Sequence, residues 1–495
     1  MSIAILLKFA FDKKSHLGYN KLKKRVLKVE KVKGKIKKPA MASIWYFISS
    51  GVVRGVSVIG TPIFTRLLTP SEYGLFPLYS TWLGIVTVIV SLEIGGSVMY
   101  RGLERYKEKS SDFVVSSLGL FSAVFFNFCI LYFTFSGFLN SITGLSTFAS
   151  SLLLIQVFLN TVVGLYTGFA KFRYKYRDVA IMNVLNALLS PIISISFILL
   201  SPYKSYAKIF GAHLSTLVIA VPVLIFLIKT GGRLFDREIW LYLIKRCVPL
   251  LPHYLSMALI ARIGEIAVNR FHGREALGKY SVAMSLGLSL TVLSGAVLSA
   301  LSPWVIRKIK AGEFPIIREV LFMGTKLISL AVLVVLCICP ETLMLISPSE
   351  YQDVLPAVFP LALTILPIFL SNAIVSCEAY YERSARTSIP SVITAVICCV
   401  LSYLVVPRID YRYSGLIILG SYILLLVLNS LAFRSLSGEA PLYARKTALI
   451  SLFVLSYASL IFFLRSVFAS RIILLLPLIP MLIYNLVIAY RRVKE

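Results

Sequence analysis

Fourteen apolar runs, each close to the length a helix needs to cross a bilayer, recur along this chain and leave little of it for anything else. The hydrocarbon core is about 30 Å thick, so a helix crosses it with about 20 predominantly apolar residues. No water is present there to satisfy backbone N–H and C=O groups, so such runs must pair their own backbone as helices. The runs lie at 41–65, 75–99, 112–136, 146–169, 179–200 and 206–228. A second series follows at 248–269, 278–305, 320–345, 352–377, 388–406, 413–433, 446–464 and 470–490. The expected fold is an all-α integral membrane protein with about fourteen transmembrane helices.

Composition agrees. Charged residues make up 15% of the chain, against about 25% in a soluble protein. Yet the net charge is +29. Nucleic acid is the usual partner of so basic a chain, but here the charge is dealt out between apolar runs, which excludes nucleic acid in favour of a membrane surface. With the N-terminus inside, cytoplasmic segments collect 38 Lys and Arg and outer loops 10, while Arg54, Arg262 and Lys326 fall within runs. Positive charge marks the cytoplasmic side, so both termini are expected inside a multi-pass protein of the cytoplasmic membrane. Residues 1–40 form a basic tail with 13 of the 51 Lys and Arg. It is expected to lie on the anionic inner leaflet, at about 1 kcal/mol per basic residue. Met1–Phe11 is too short to span, and no small-residue cleavage site follows it.

The seven cysteines fall within apolar runs or at their ends, no Cys-x-x-Cys occurs, and the four histidines are scattered. These cysteines read as packing residues, and neither a metal site nor a cofactor is expected. The basic gap 229–247 is read as a cytoplasmic linker. It divides a six-helix bundle at 41–228 from another at 248–433, leaving two further helices and a short basic terminus at 434–495. A shift of 204 residues lays Arg66, Gly74 and Phe76 over Arg270, Gly278 and Tyr280 without a gap. Both segments join an odd-numbered run to the next at the outer surface. The expectation is two bundles of like orientation, with substrate between them.

The segment from Arg66 to Gly74 reads Arg-Leu-Leu-Thr-Pro-Ser-Glu-Tyr-Gly. With Leu277, Gly278, Lys279 and Tyr280 in the second bundle, it resembles the polysaccharide flippases, which share a superfamily with the multidrug and toxin extrusion exporters. The resemblance implies two helical bundles around a central cavity. It also implies alternating access that carries an isoprenoid pyrophosphate-linked oligosaccharide across the membrane for surface polysaccharide synthesis. Membrane lipids, the lipid-linked oligosaccharide and polysaccharide assembly enzymes are the implied partners. Within the motif, Pro70 is expected to end the first helix and Gly74 to take a backbone conformation closed to other residues. Arg66, Pro70, Tyr73 and Gly74, like Arg270, Gly278 and Tyr280, read as architecture.

An ionisable residue in a span costs about 2.5–3.5 kcal/mol on insertion scales. Arg54 lies near the middle of the first run, and Arg262 and Glu265 near the middle of the seventh. Buried guanidinium groups suit phosphate oxygens, so Arg54 and Arg262 are candidate substrate-binding residues. Against this stands a self-contained Arg262–Glu265 pair, with Arg54 satisfied by a carbonyl or by Glu93. Glu265 and Glu93 are candidates for ion coupling or charge balance. Lys326 and Glu378, like Glu93, are read as snorkelling to the interface. His213 and His253 are read as packing histidines, and Gln156, Asn160, Asn183 and Asn186 as helix-linking amides rather than sugar ligands. Gly273 to Tyr280 nearly spells a phosphate-binding loop, but Tyr280 replaces the Ser or Thr and no strand precedes it. No enzyme activity is expected. A cation-coupled multidrug exporter is the alternative, and a membrane glycosyltransferase a distant one.

Overall fold

A computed structural model describes Trp45, residues 48–378, Tyr381 and residues 384–494. The basic tail at 1–40 lies outside the described residues. Among the described residues the regular structure is helical throughout. The first set of helices comprises α1 (Ile48–Leu67), α2 (Pro70–Ser91), α3 (Ser97–Arg105), α4 (Ser110–Thr134), α5 (Ser136–Thr143), α6 (Thr147–Phe172), α7 (Tyr176–Leu200) and α8 (Lys204–Lys229). The gap at 229–247 is not irregular: it carries a helix of its own, α9 (Arg237–Cys247), whose N-cap Asp236 accepts from the amides of Glu238 and Ile239. The indole of Trp240 donates to the Ser116 carbonyl at 3.1 Å and pins α9 to α4.

The second set runs through α10 (Leu251–Gly287), α11 (Thr291–Lys310), α12 (Phe314–Ile346), α13 (Leu355–Leu363), α14 (Ile365–Glu378), α15 (Ser384–Val405) and α16 (Gly415–Ser437). Two further helices, α17 (Ala444–Phe463) and α18 (Phe468–Lys494), complete the chain. Thirteen described stretches are long and apolar enough to cross a bilayer. The seventh and eighth runs share one of these, Arg237–Gly287, which breaks at Gly273 (φ 86°, ψ 178°). The remainder of the eighth run continues in α11, where serines and three basic residues in the last turn dilute the apolar character. The backbone at Gly273 occupies a region essentially confined to glycine.

Lipid is as apolar as leucine, so helices in a bilayer associate through close packing and polar links rather than through the hydrophobic effect. The broadest contact between the two sets, α2 against α10, follows that rule. Gly74 of α2 sits on the backbone of Arg274, and Gly278 of α10 on the backbone of Pro70. The turns at Leu68–Thr69 and at Gly273 therefore lie together at one end of the molecule, here called the seam. Helix ends leave unpaired carbonyls, and the first set supplies donors for those of α12. The hydroxyl of Thr65 donates to the Ile346 carbonyl at 2.8 Å, and Arg66 donates to that of Leu345 at 2.9 Å. In the opposite sense the hydroxyl of Tyr351 donates to the Leu68 carbonyl at 3.2 Å.

The structure corrects two expectations for the motif. Pro70 opens α2 rather than closing α1: it follows the N-cap Thr69, which forms a capping box with Glu72. Proline suits that position because a first-turn N–H has no intrahelical partner. Gly74 is helical, and it is required by the approach of α10 rather than by an unusual backbone angle.

Among the described residues, an ion pair ties the closing helices to the second set. Arg471 of α18 is buried, makes a two-pronged contact with Glu341 of α12 at 2.6 and 2.5 Å, and donates to the Cys337 carbonyl at 3.0 Å.

Candidate functional site

A cavity of about 720 Å³ lies between the sets, below the seam. Its walls come from α1, α2, α6, α7 and α8 on one side, and from α10 and the first residue of α11 on the other. Side chains three or four positions apart share a helix face, and the lining follows that spacing. Gln156 and Asn160 of α6, Asn186, Ser190 and Ser194 of α7, and Lys208, Ala212 and Thr216 of α8 each form such a stripe. Pro77 and Pro191 interrupt the hydrogen-bond ladders of α2 and α7 within the cavity wall.

Both mid-span arginines line this space. Arg54 makes no hydrogen bond or ion pair with any described residue, so neither a carbonyl nor Glu93 satisfies it. Arg262 pairs with Glu265 at 3.1 Å, with 39% of its side chain exposed against 5% for Glu265. Glu265 also accepts from the hydroxyl of Thr81, a fully buried residue of α2, at 2.5 Å. The carboxylate is thus neutralised by one set and hydrogen-bonded by the other. Glu93 lies apart from the cavity, in the turn between α2 and α3, where Leu92 and Glu93 both have a φ of 51°.

A third cation was not expected. Lys208 stands two residues inside the sixth run, close enough to its edge to be counted with the outer loops. The structure puts it in the cavity wall, its ammonium 4.3 Å from the ring centroid of Phe76, 4.4 Å from that of Tyr73 and 4.7 Å from that of Phe64. Ring faces carry partial negative charge that attracts such a cation. The spacing of Lys208 to Ala212 and Thr216 is the sequence signal that could have placed it on the polar face. The ionisable lining is therefore Arg54, Lys208 and Arg262 against Glu265 alone.

Tyr73 is buried, lines the cavity and meets Tyr351 edge to face with ring centroids 6.2 Å apart. Tyr280 is fully buried, whereas Arg270 is exposed and makes no hydrogen bond to a described residue. Of the lesser candidates, the ring of His253 is 2.8 Å from the hydroxyl of Ser391, and Lys326 stacks over Phe322. His213 lies well inside α8 rather than near a span end, with its Nδ1 buried and without a partner among the described residues. Asn183 is exposed and outside the cavity. Glu378 does not snorkel: it is fully buried, and both carboxylate oxygens lack a partner among the described residues.

The sequence model of the family described as polysaccharide biosynthesis protein matches residues 41–308, more than half of the chain. The chain belongs to that family. No match was found among curated proteins. Among solved structures, the lipid II flippase MurJ in an inward closed conformation is similar over 92% of this chain and 100% of its own, with a TM-score of 0.66 at 14% identity. A multidrug resistance MATE family transporter of the MOP superfamily in an inward-facing conformation matches 80% of this chain and 95% of its own (TM-score 0.60, 16% identity). A MOP superfamily transporter from Pyrococcus furiosus, described as having a binding pocket of reversed polarity, matches 85% of this chain and 96% of its own (TM-score 0.53, 16% identity). This family member shares their fold: a multi-pass, all-helical membrane protein.

Proposed function

We propose that this protein flips an isoprenoid pyrophosphate-linked oligosaccharide across the cytoplasmic membrane by alternating access, for surface polysaccharide synthesis. One observation carries the reading. The cavity between the sets is lined by three cations and a single carboxylate, and that carboxylate is already held by Arg262 and Thr81. Such a lining attracts a phosphorylated head group and repels the organic cations that a drug exporter accepts. Arg54, unpaired, and Arg262, its guanidinium partly open to the cavity, are the substrate-binding residues in this proposal. Lys208 joins them. Glu265 balances charge, and Glu93, outside the cavity, has no contact with the cargo.

The two helix sets are then the two halves of an internal repeat, and the charge bias places the seam on the outer face. On that orientation the seam contacts close the outer end and leave the cavity to be loaded from the cytoplasmic leaflet.

Reconstitution tests this. Purified protein in liposomes is expected to translocate a lipid-linked oligosaccharide. Each of Arg54→Ala and Arg262→Ala should slow it about tenfold or more, the scale of losing hydrogen bonds to a charged group. Undiminished transport in both variants would remove these residues from the site. Efflux of organic cations without lipid transport would overturn the flippase reading.

A further inference from the structure

We propose that the α6–α8 face of the cavity is a carbohydrate subsite in which Gln156 and Asn186 accept hydrogen bonds from the sugar that follows the diphosphate. The proposal rests on the lipid-linked reading above and adds where the glycan is recognised.

The orientation of Gln156 is set by its neighbours. The Thr216 hydroxyl spends its proton on the Ala212 carbonyl at 2.8 Å, so it can only accept from Gln156. The Gln156 amide nitrogen meets that need at 2.9 Å and donates also to Asn160 Oδ1 at 3.1 Å. Its oxygen, Oε1, is thereby turned away from both. The residue is 4% exposed, and among the described residues Oε1 is buried without a partner, as is Oδ1 of Asn186 on the neighbouring helix. Both residues line the cavity.

Two buried acceptors left without donors are costly to maintain unless a ligand supplies the protons. The chemistry of that ligand follows from what surrounds them. A cation would meet Arg54, Lys208 and Arg262 in the same space. A phosphate carries no donors and would be repelled by two carbonyl oxygens. A neutral polyol with several O–H groups satisfies both acceptors while its charged neighbour sits on the cations. A sugar attached to a diphosphate has that combination, with donors at one end and negative charge at the other. The wall is held in register by close packing of α7 on α8, where a Cβ on Gly211 would lie 1.9 Å from Ser194 Oγ.

The test uses the full-length protein in lipid nanodiscs and two probes: a polyisoprenyl diphosphate with no sugar, and the same lipid bearing one N-acetylhexosamine. Wild-type protein is expected to bind the glycosylated lipid about tenfold more tightly, the scale of two hydrogen bonds to otherwise unpaired groups. Gln156→Leu and Asn186→Leu should each bring that ratio towards one while leaving the affinity for the sugar-free lipid within about twofold. Asn186 makes no hydrogen bond to a described residue, so its variant breaks no internal hydrogen bond and keeps the test valid if Gln156→Leu misfolds. A ratio unchanged in the Asn186 variant overturns the subsite and leaves the flippase reading standing. Failure of the sugar-free lipid to bind wild-type protein, with Arg54→Ala and Arg262→Ala indistinguishable from it, overturns both.

Discussion

Gly74 and Gly278 stand in reciprocal contact across the seam: a Cβ on Gly74 would lie 2.1 Å from the carbonyl oxygen of Arg274, and one on Gly278 would lie 2.0 Å from that of Pro70. The two glycines are 204 residues apart, and so are Pro70 and Arg274. A local twofold relation between α2 and α10 accounts for both contacts at once. Backbone atoms cannot retreat as a flexible side chain does, so Gly74→Ala and Gly278→Ala are expected to force the helices apart. The cost should be about 1–3 kcal/mol, the usual range for overpacking. Because only the closed seam is penalised, labelling of a cysteine placed at Thr65 should become faster in either variant than in the parent. An unchanged labelling rate would mean the helices had absorbed the methyl group elsewhere.

Gly273 gives a second expectation at the same end. Its φ of 86° with ψ of 178° suits glycine and strains other residues. Gly273→Ala should lower stability by about 1–3 kcal/mol, read as a lower melting temperature in detergent. Open space surrounds the added methyl, so the loss would come from backbone strain alone.

The pair Arg471–Glu341 predicts a different failure. Removing one partner of a fully buried ion pair costs about 3–5 kcal/mol, and a value nearer 2 kcal/mol is expected for Arg471→Ala because Glu341 keeps part of its solvent access. The effect should be local, with proteolysis appearing first between α16 and α18 while the helices around the cavity stay protected. Simultaneous loss of protection throughout the molecule would contradict a role confined to the closing helices.

Within the cavity, Glu265→Gln separates charge balance from ion coupling. The change frees Arg262 and raises the net positive charge of the lining by one unit. Affinity for the lipid diphosphate should hold or rise, and the response of flipping to an imposed ion gradient should match that of the parent. A parent that responds to the gradient beside a variant that does not would assign Glu265 to coupling instead.

Lys208→Gln keeps polarity, shortens the side chain by one atom and removes the ammonium from its ring of Phe64, Tyr73 and Phe76. A cation over aromatic faces is worth about 0.5–2 kcal/mol. A matching loss of stability is expected, together with weaker binding of the diphosphate lipid. Stability loss without any change in binding would make Lys208 a packing residue.

Much of this architecture was legible in the letters. Apolar run length dictates helices wherever backbone groups have no water to turn to, and the isolated charges Arg54 and Arg262 stood out against it. The offset relating Gly74 to Gly278 could also be read, although its reason could not. The sequence suggests a backbone angle, whereas the cause is another helix pressed against the glycine. Lys208 escaped because a charge near the edge of a run looks like a loop charge until the helix length is known. The amides escaped for a different reason. Gln156 does link helices through its nitrogen, as expected, and only the network around Thr216 reveals that its oxygen is left over.

The cavity draws most of its wall from the helices before the linker, while those after it contribute little beyond α10. In a rocking cycle a passenger held there would travel with one arm of the protein, as a load strapped to a single oar. The opposite arm would serve chiefly as the blade that uncovers it on one side of the membrane and then the other.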